Sequence, residues 1–281
     1  MLFFCLFLFT NFQVSKKTKI YSFNKIEKNW TSINENLLAN KFEVTNLEYQ
    51  VFLQSIDSDA KWIDRKDPLK IRNDNWNQGG IKKEHPWQNE WTDLSTYYHL
   101  HPFYHQYPVV NISQEAAKAF CEWLTIAYNN KSNRKYKKVL IRLPSEQEWV
   151  IAARAGNQHA PFPWGGYYLR NGQGEFLANF GRIDEGKIKV DRNTRQIEMS
   201  SEEAFVEGIP ASVNNYYANN FGLYNTSGNV AEMLAEEGRT KGGSWASSGY
   251  YIRIDVEDEY AGFQEPSPFI GFRYFIDVVE E

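Results

Sequence analysis

The chain has 281 residues, of which 42% are hydrophobic, and it carries a formal net charge of −4. This length suits one large domain or two small ones, and nine tryptophans allow a substantial apolar core. The acidic balance, with no basic stripe along the chain, argues against a nucleic-acid partner. The sequence contains no glycine-rich phosphate loop, no nucleophile elbow and no legible Ser/His/Asp arrangement.

Residues 1–14 form an apolar run that resembles the core of a secretory signal peptide. The run is shorter than the roughly 20 residues of a membrane helix, so we expect no integral membrane span. We predict an exported protein that is periplasmic or associated with the cell envelope. Once the run is removed, Cys121 is the only thiol, and we interpret it as a core residue of a helix rather than a nucleophile. Residues 15–40 are interpreted as a lead-in segment, either mobile or with one edge strand around Lys19–Phe23, and residues 41–281 as the folded domain.

Three helices are predicted from their capping signals. Thr45 and Glu48 have the spacing of a capping box at the start of the first helix. A second helix is predicted to begin after Ser113. Ser145 and Glu148 have the spacing of another capping box, at the start of the third. We expect these helices to be structural elements, because nothing on them indicates catalysis.

The segment between residues 55 and 106 is polar and rich in aromatic side chains, which is typical of long loops. Aromatic loops can form a binding surface, but their rings can also cover the core. We expect buried rings here. An open, concave cluster would instead indicate a lectin-like ligand-binding module. The rings concerned are those of Trp62, Trp76, Trp87 and Trp91.

The stretch from Phe221 to Glu232 has the composition of a tight, irregular loop. Asn225 and Glu232 offer side-chain oxygens, and Gly228 allows the backbone to turn its carbonyl groups inward. Calcium takes about six to eight oxygen ligands of this kind. An Asn/Gly-rich turn that needs no ion is the alternative interpretation.

Short motifs in a fixed order give the chain a resemblance to the formylglycine-generating enzyme (sulfatase-modifying factor) superfamily. Members carry a GLYD/N-x-x-GNVWEW element, then GGSW, then a closing GFR. The resemblance extends over about residues 41–276. The motifs in this sequence are Glu43-Val44-Thr45-Asn46, Tyr107-Pro108-Val109-Val110-Asn111, Arg142-Leu143-Pro144-Ser145-Glu146, Pro163-Trp164-Gly165, Leu177-Ala178-Asn179-Phe180, Gly222-Leu223-Tyr224-Asn225, Gly228-Asn229-Val230-Ala231-Glu232, Gly242-Gly243-Ser244-Trp245 and Gly271-Phe272-Arg273.

The resemblance implies an α+β fold of the C-type-lectin-like, sulfatase-modifying-factor type, with few regular elements and long loops. It also implies calcium. At one family calcium site, Asn225 and Glu232 match the side-chain ligands, and Gly228 and Val230 match the carbonyl ligands. At a second family site, Asn179 and Phe180 match the first half, and Glu203–Phe205 is the nearest candidate for the second half.

The catalytic members of this superfamily bind copper through two cysteines that follow the GGS element. Soft thiolates are needed because they hold Cu(I). Ser247 and Ile252 stand where those cysteines would be, and no cysteine follows Cys121. We therefore expect no copper and no formylglycine generation.

The leading hypothesis is a noncatalytic member: a calcium-stabilised binding or scaffold protein of the cell envelope. It is similar to members associated with gliding motility and secretion, and a protein partner in the envelope is implied. One alternative is a nonheme-iron oxidoreductase that uses His99, His101 or another histidine, because two histidines at this spacing share a face of an extended segment. The lectin-like module is the other alternative. The sequence does not predict an oligomeric state.

Overall fold

The computed structural model describes residues 23–57, 59–62, 64–72, 76, 97–183, 189–191, 193–194, 197–198, 205–206 and 208–280. The apolar run at residues 1–14, Trp87 and Trp91 lie outside the described residues, as does the Glu203–Ala204 part of the second calcium half-site. No helix in the described ranges has the length and apolar character needed to cross a bilayer.

The three predicted helices are confirmed: α1 spans Asn46–Ile56, α2 spans Gln114–Asn129 and α3 spans Glu146–Arg154. Reciprocal capping boxes start α1 and α3, as their Ser/Thr and Glu pairs predict. At the start of α2, the Ser113 side chain accepts from the Ala116 N–H. Short 3₁₀ helices cover Phe23–Asn29, Asp67–Leu69 and Pro102–Tyr104.

The largest sheet has four antiparallel strands in the order β1-β2-β11-β3. Strands β1 and β2 belong to the interpreted lead-in segment, but here they complete this sheet. Helix α2 packs on β3, the strand at one edge. The strands are β1 (Trp30–Ser32), β2 (Leu37–Asn40), β3 (Lys138–Arg142) and β11 (Phe275–Glu280).

A second sheet has the order β10-β8-β9, with β10 parallel to β8 and β9 antiparallel to it. Two short two-stranded pairs, β4 with β7 and β5 with β6, complete the described strands. The fold is thus α+β with few regular elements, as predicted. The remaining strands are β4 (Arg182–Ile183), β5 (Lys189–Val190), β6 (Ile197–Glu198), β7 (Phe205–Val206), β8 (Ala231–Met233), β9 (Thr240–Lys241) and β10 (Ile270–Gly271).

The main core lies between α1, α2 and one face of the largest sheet. Phe120 sits at its centre and packs against Tyr49, Phe52 and Phe272 with ring centroids 5.4–6.0 Å apart. Cys121 is buried in this core, and burial raises the pKa of its thiol. The interpretation of Cys121 as a core residue is therefore confirmed.

Candidate functional site

The stretch that precedes β8 is an irregular loop, as its composition predicts. Gly222, Asn225, Gly228 and Asn229 all have positive φ, which glycine and asparagine tolerate better than other residues. The segment from Asn225 to Glu232 is buried throughout. Its polar side chains therefore need partners inside the protein.

Glu232 forms a buried ion pair with Arg273, the arginine of the closing GFR motif. The Arg273 Nη2 lies 2.7 Å from Glu232 Oε1, and Trp149 Nε1 donates to Glu232 Oε2 at 2.8 Å. Arg273 also donates to the backbone carbonyls of Asn40, Lys41 and Tyr224. One guanidinium thus joins the end of β2, the irregular loop and the strand that carries Glu232.

Glu43, from the first family motif, is a second buried carboxylate in the same region. It accepts from Asn225 Nδ2 at 3.0 Å and from Asn229 Nδ2 at 2.8 Å. Desolvation raises the pKa of Glu43 to about 8, with Arg273 opposing the shift and Glu232 adding to it. Sequence reasoning did not identify Glu43 as a site residue, although a glutamate between Phe42 and Val44 is a signal that can be read.

Asn179 is brought to the same cluster by Asn229. The Asn179 carbonyl accepts from the Asn229 N–H at 2.7 Å, and Asn179 Nδ2 donates to Asn229 Oδ1 at 3.1 Å. The ring of Phe180 lies in a separate apolar cluster with Phe162 and Ile252. The first half of the predicted second calcium site therefore adjoins the first site.

The donor set has the chemistry that calcium requires. Two buried carboxylates, Glu43 and Glu232, face one guanidinium, Arg273, so ionising both acids leaves a buried negative charge. Glu232 accepts four hydrogen bonds from three nitrogen atoms, two at each oxygen, so a calcium ion would displace one of these bonds to reach a lone pair. The carbonyls of a bent loop and the amide oxygen of Asn225 are hard donors of the same kind. By charge and by donor type, these residues fit calcium.

Hydroxyl and carboxyl groups surround the first position at which catalytic members have a cysteine. Ser247 Oγ donates to the Glu259 carboxylate and lies 3.2 Å from both Ser244 Oγ and the Tyr260 hydroxyl. Burial raises the pKa of Glu259 and raises that of Tyr260 to about 12. A cavity of about 10 Å³ adjoins Glu259 and Tyr260, which is room for about one water molecule. These groups form hydrogen bonds with one another, and none of them is a thiolate.

The second cysteine position is filled by an apolar side chain. Ile252 is fully buried and packs with Phe162 and Phe180. Its carbonyl accepts from Ser227 Oγ at 2.7 Å. A hydroxyl and a buried branched alkyl group cannot replace two thiolates at a Cu(I) centre.

The histidines of the proposed iron site do not share an environment. His99 is buried, its Nδ1 lies 2.9 Å from Asn46 Oδ1, and burial lowers its pKa to about 3. His101 is exposed and caps the short helix Pro102–Tyr104 by accepting from the Phe103 N–H. Within the described ranges, no three His, Cys, Asp or Glu side chains form a group that could hold a metal ion.

The tryptophans that the structure describes in the 55–106 segment are buried, as expected. Trp62 packs against Phe52, and Trp76 packs against Tyr98. They therefore contribute to cores rather than to an open aromatic surface.

In the described ranges, the exposed aromatic side chains are tyrosines together with one phenylalanine, Phe103. The side chain of Leu169 packs against Gly249, which places the segment before Leu169 beside the segment after Gly249. The hydroxyl of Tyr217 reaches Glu175 of the same region at 3.3 Å. We call these rings the tyrosine surface: Tyr167 (73% exposed), Tyr168 (81%), Tyr217 (55%), Tyr250 (56%) and Tyr251 (38%).

The tyrosine surface borders Ser247 and Ile252, the positions expected to match the cysteines of catalytic members, since Tyr250 and Tyr251 lie between them in the chain. Sequence reasoning missed it. The signal was a pair of tyrosines directly after glycine in each of two polar loops, at Tyr167 and at Tyr250. Exposed tyrosines supply rigid, amphipathic contact area at low cost in conformational entropy, as in many binding sites.

Comparison with known proteins identifies the family of the chain. The profile of the Sulfatase-modifying factor enzyme 1-like domain matches residues 15–278. The mouse formylglycine-generating enzyme is 28% identical over 154 residues, covering 55% of this chain and 30% of that protein. The bovine inactive C-alpha-formylglycine-generating enzyme 2 is 31% identical over 134 residues, covering 47% of this chain and 34% of its own. The matches thus span about a third of the length of these relatives.

A solved structure, PvdO from Pseudomonas aeruginosa, superposes with a TM-score of 0.50 at 16% sequence identity. The superposition covers 86% of this chain and 80% of that one. At this identity the likeness shows a common fold.

Proposed function

This chain belongs to the sulfatase-modifying factor enzyme 1-like domain family, and on that premise we propose that it is a noncatalytic member. In this proposal, it is a calcium-stabilised binding or scaffold protein of the cell envelope. The tyrosine surface is the face that it presents to a protein partner.

The noncatalytic part of the proposal rests on the residues that stand at the two cysteine positions of catalytic members. Ser247 is held by Glu259, and Ile252 is packed into an apolar cluster. Similarity to a bovine relative that is named inactive supports the same reading. The side chains around these positions are arranged to stabilise the fold.

Calcium is proposed as the stabiliser of the irregular loop. The side chains of Asn225 and Glu232 and the carbonyls of Gly228 and Val230 would hold one ion. Asn179 and Phe180 would contribute to a second. When bound, calcium would offset the negative charge of the buried carboxylates and oppose the entropy gain on loop unfolding, which is on the order of 1–2 kcal/mol per residue.

The location and the partner are supported by separate observations. The apolar run at residues 1–14 supports export. Five solvent-exposed tyrosine rings support a protein partner, because tyrosine is enriched at protein interfaces. The position of these rings beside Ser247 and Ile252, where catalytic members have cysteines, supports a role in binding rather than in turnover.

Two measurements test the proposal together. The purified protein is assayed for copper content and for aldehyde formation on a cysteine-containing sulfatase peptide, and we expect neither. Tagged wild-type protein and a Tyr168→Ala/Tyr250→Ala variant are then used to capture partners from an envelope fraction. We expect a partner that the wild type retains and the variant loses. Aldehyde formation would overturn the noncatalytic role, and equal capture by both proteins would overturn the tyrosine surface.

The lectin-like module is the second candidate, and the exposed tyrosines favour it as well, since aromatic rings also stack on sugar rings. The two candidates differ in their ligand. Retention of the wild type on immobilised envelope glycans, with loss in the same tyrosine variant, would support the lectin reading. Retention by a protease-sensitive envelope component would support the protein partner.

A further inference from the structure

A groove runs between helix α2 and the edge strand β3, and its lining shares no residue with the tyrosine surface. Its volume is about 320 Å³, which lies at the lower end of the range for ligand sites. We propose that it docks a short acidic segment of a protein partner, with one apolar side chain seated in the middle of the groove. This proposal is independent of the proposed function.

Apolar side chains are exposed along the middle of the groove. Ile126 of α2 is 37% exposed and Leu140 of β3 is 47% exposed. Beneath them lie the buried side chains of Cys121, Ile141 and Leu143. Ile126 and Leu140 belong to a helix and a strand that pack on each other, so the apolar middle of the groove is rigid and preformed. A single leucine- or phenylalanine-sized group of a partner would bury this apolar area.

The backbone edge of β3 is already occupied, which decides how a partner would bind. Thr125 Oγ1 accepts from the Ile141 N–H at 2.9 Å and lies 3.3 Å from its carbonyl. Asn129 Oδ1 accepts from the Val139 N–H at 3.0 Å, and its Nδ2 donates to the Val139 carbonyl at 2.9 Å. A partner therefore cannot extend the sheet by strand addition. It must be recognised by side chains in the groove.

The acid in the groove is neutralised by neighbouring cations. Glu122, which lines the groove, pairs with Lys61 at 2.7 Å and with Arg65 at 3.5 Å. These pairs lower the pKa of Glu122, the hydrogen bond from Lys61 contributing most. Arg142 is balanced by Glu148 and Asp277. The lining therefore presents no unbalanced negative charge to a partner.

Positive charge lies at both ends of the apolar middle. Lys118 is exposed at one end. At the other end, Lys138 lies on the same exposed face of β3 as Leu140. It ends a connector from residue 131 to residue 138 in which five of the eight residues are basic. In the described part of the chain, no carboxylate forms an ion pair with Lys118, Arg134, Lys137 or Lys138, although Glu280 lies opposite Lys138 on β11.

The separation of the two basic ends sets the length of the partner segment. Lys118 and Asn130, the residue that caps the end of α2 beside the basic connector, are about 18 Å apart along the helix axis at ~1.5 Å per residue. An extended chain covers that distance in about five or six residues. The recognised segment is therefore acidic at both ends and apolar in the middle. The net charge of −4 on the whole chain makes this basic strip a local feature rather than a general one.

A labelled octapeptide of sequence EESSLSEE tests the proposal by fluorescence anisotropy against the full chain. We expect saturable binding that weakens at least tenfold in Leu140→Ser and in Lys118→Glu. The control is Ile151→Ser, which removes a similarly exposed apolar group from α3 and should leave binding unchanged. Circular dichroism and urea unfolding verify that each variant is folded.

Two further probes separate the peptide from other anions. An octapeptide with lysine in place of each glutamate should not bind. A single-stranded oligonucleotide and anionic phosphatidylglycerol vesicles should not displace the acidic peptide. No saturable binding of the acidic octapeptide, equal affinity in Leu140→Ser, or displacement by the oligonucleotide or the vesicles would overturn the proposal.

Discussion

Gly228 and Asn179 are in direct backbone contact: a Cβ atom on residue 228 would lie 2.1 Å from the carbonyl oxygen of Asn179. The N–H of the next residue, Asn229, donates to that same carbonyl at 2.7 Å. Gly228 also has a φ of +76°. The glycine is therefore required by packing and by conformation, whether or not an ion binds. Its role in the motif is to let two loops meet at backbone distance.

Gly228→Ala is expected to destabilise the protein by about 2–4 kcal/mol, because a positive φ and a steric clash act together. Urea unfolding at equilibrium measures the loss. Two matched glycines separate the causes. Gly262→Ala carries only the strain of a positive φ, since nothing lies near its Cβ, and Gly172→Ala carries neither. The loss should rank Gly228, then Gly262, then Gly172. An equal loss at residues 228 and 262 would remove the clash from the explanation.

Arg273→Gln is expected to destabilise the protein by about 3–5 kcal/mol, because it leaves Glu232 buried without its cation. Arg273→Lys should recover little of this loss, since one ammonium cannot replace a fork that also reaches three backbone carbonyls. Thermal and urea unfolding measure both variants. Arg253→Gln is the control, because its pair with Asp255 is at the surface and such pairs contribute about 0–1 kcal/mol. Similar losses in Arg273→Gln and the control would contradict this account.

Removing calcium is expected to lower the melting temperature, and adding calcium back should restore it. Binding to the folded state alone stabilises it by about 2.7 kcal/mol when the free ion is at 100 times its Kd. Differential scanning fluorimetry with a chelator and then with excess calcium measures the shift. Asn225→Ala should abolish the calcium response, whereas Asn171→Ala, in an exposed turn, should retain it. An unchanged melting temperature in the wild type would refute the calcium proposal.

Acid is expected to weaken the start of α3 through Glu148. The hydrogen bond from Arg142, with further bonds from Ser145, lowers the pKa of Glu148 from 4.5 to about 2. A carboxyl with a lower pKa in the folded state contributes its full stabilisation above pH 4.5 and loses it as the pH falls towards 2. Urea unfolding from pH 7 to pH 3 measures this. The difference in unfolding free energy between wild type and Glu148→Gln should shrink with falling pH. A difference that stays constant over this range would contradict the assignment.

Local signals in the sequence were sufficient to predict where the helices begin. Thr45 with Glu48, and Ser145 with Glu148, each place a cap and its partner within four residues, so the start of a helix can be read from a short stretch. The α+β class and the family followed from motifs that are also short. The irregular loop was predicted from Gly228 and its asparagine neighbours for the same reason.

Relationships between distant residues were not predictable in this way. Glu43 and Asn225 are joined by a hydrogen bond across 182 positions, and no pattern near either residue indicates the other. The pairing of β2 with β11 likewise joins the two ends of the domain, so the lead-in segment could not be recognised as part of the sheet. The tryptophans of the 55–106 segment were expected to be buried, and those that the structure describes are buried. The exposure of the tyrosines was not predicted, because exposure depends on packing between distant segments rather than on a local pattern.

The edge of β3 provides a last prediction, on self-association. Asn129 forms hydrogen bonds with both backbone groups of Val139. Helix α2 therefore occupies hydrogen-bonding groups at this edge that a neighbouring strand would otherwise pair with. Asn129→Ala would leave these two groups without a partner, at a cost of about 1–3 kcal/mol. The open edge would also be free to pair with another molecule, which edge strands do when they are unprotected.

We therefore expect Asn129→Ala to be less stable in urea and to form dimers or larger species with rising concentration in sedimentation velocity. Asn129→Asp keeps the acceptor for the Val139 N–H but loses the donor, so its behaviour should be intermediate. Asn130→Ala, one residue further along, is the control, because its side-chain amide forms no hydrogen bond with β3 in the described part of the chain. If Asn129→Ala unfolds earlier but stays monomeric at high concentration, the side chain stabilises the strand without protecting its edge. If both properties change together, the helix that forms one wall of the groove is also the element that keeps this sheet from extending.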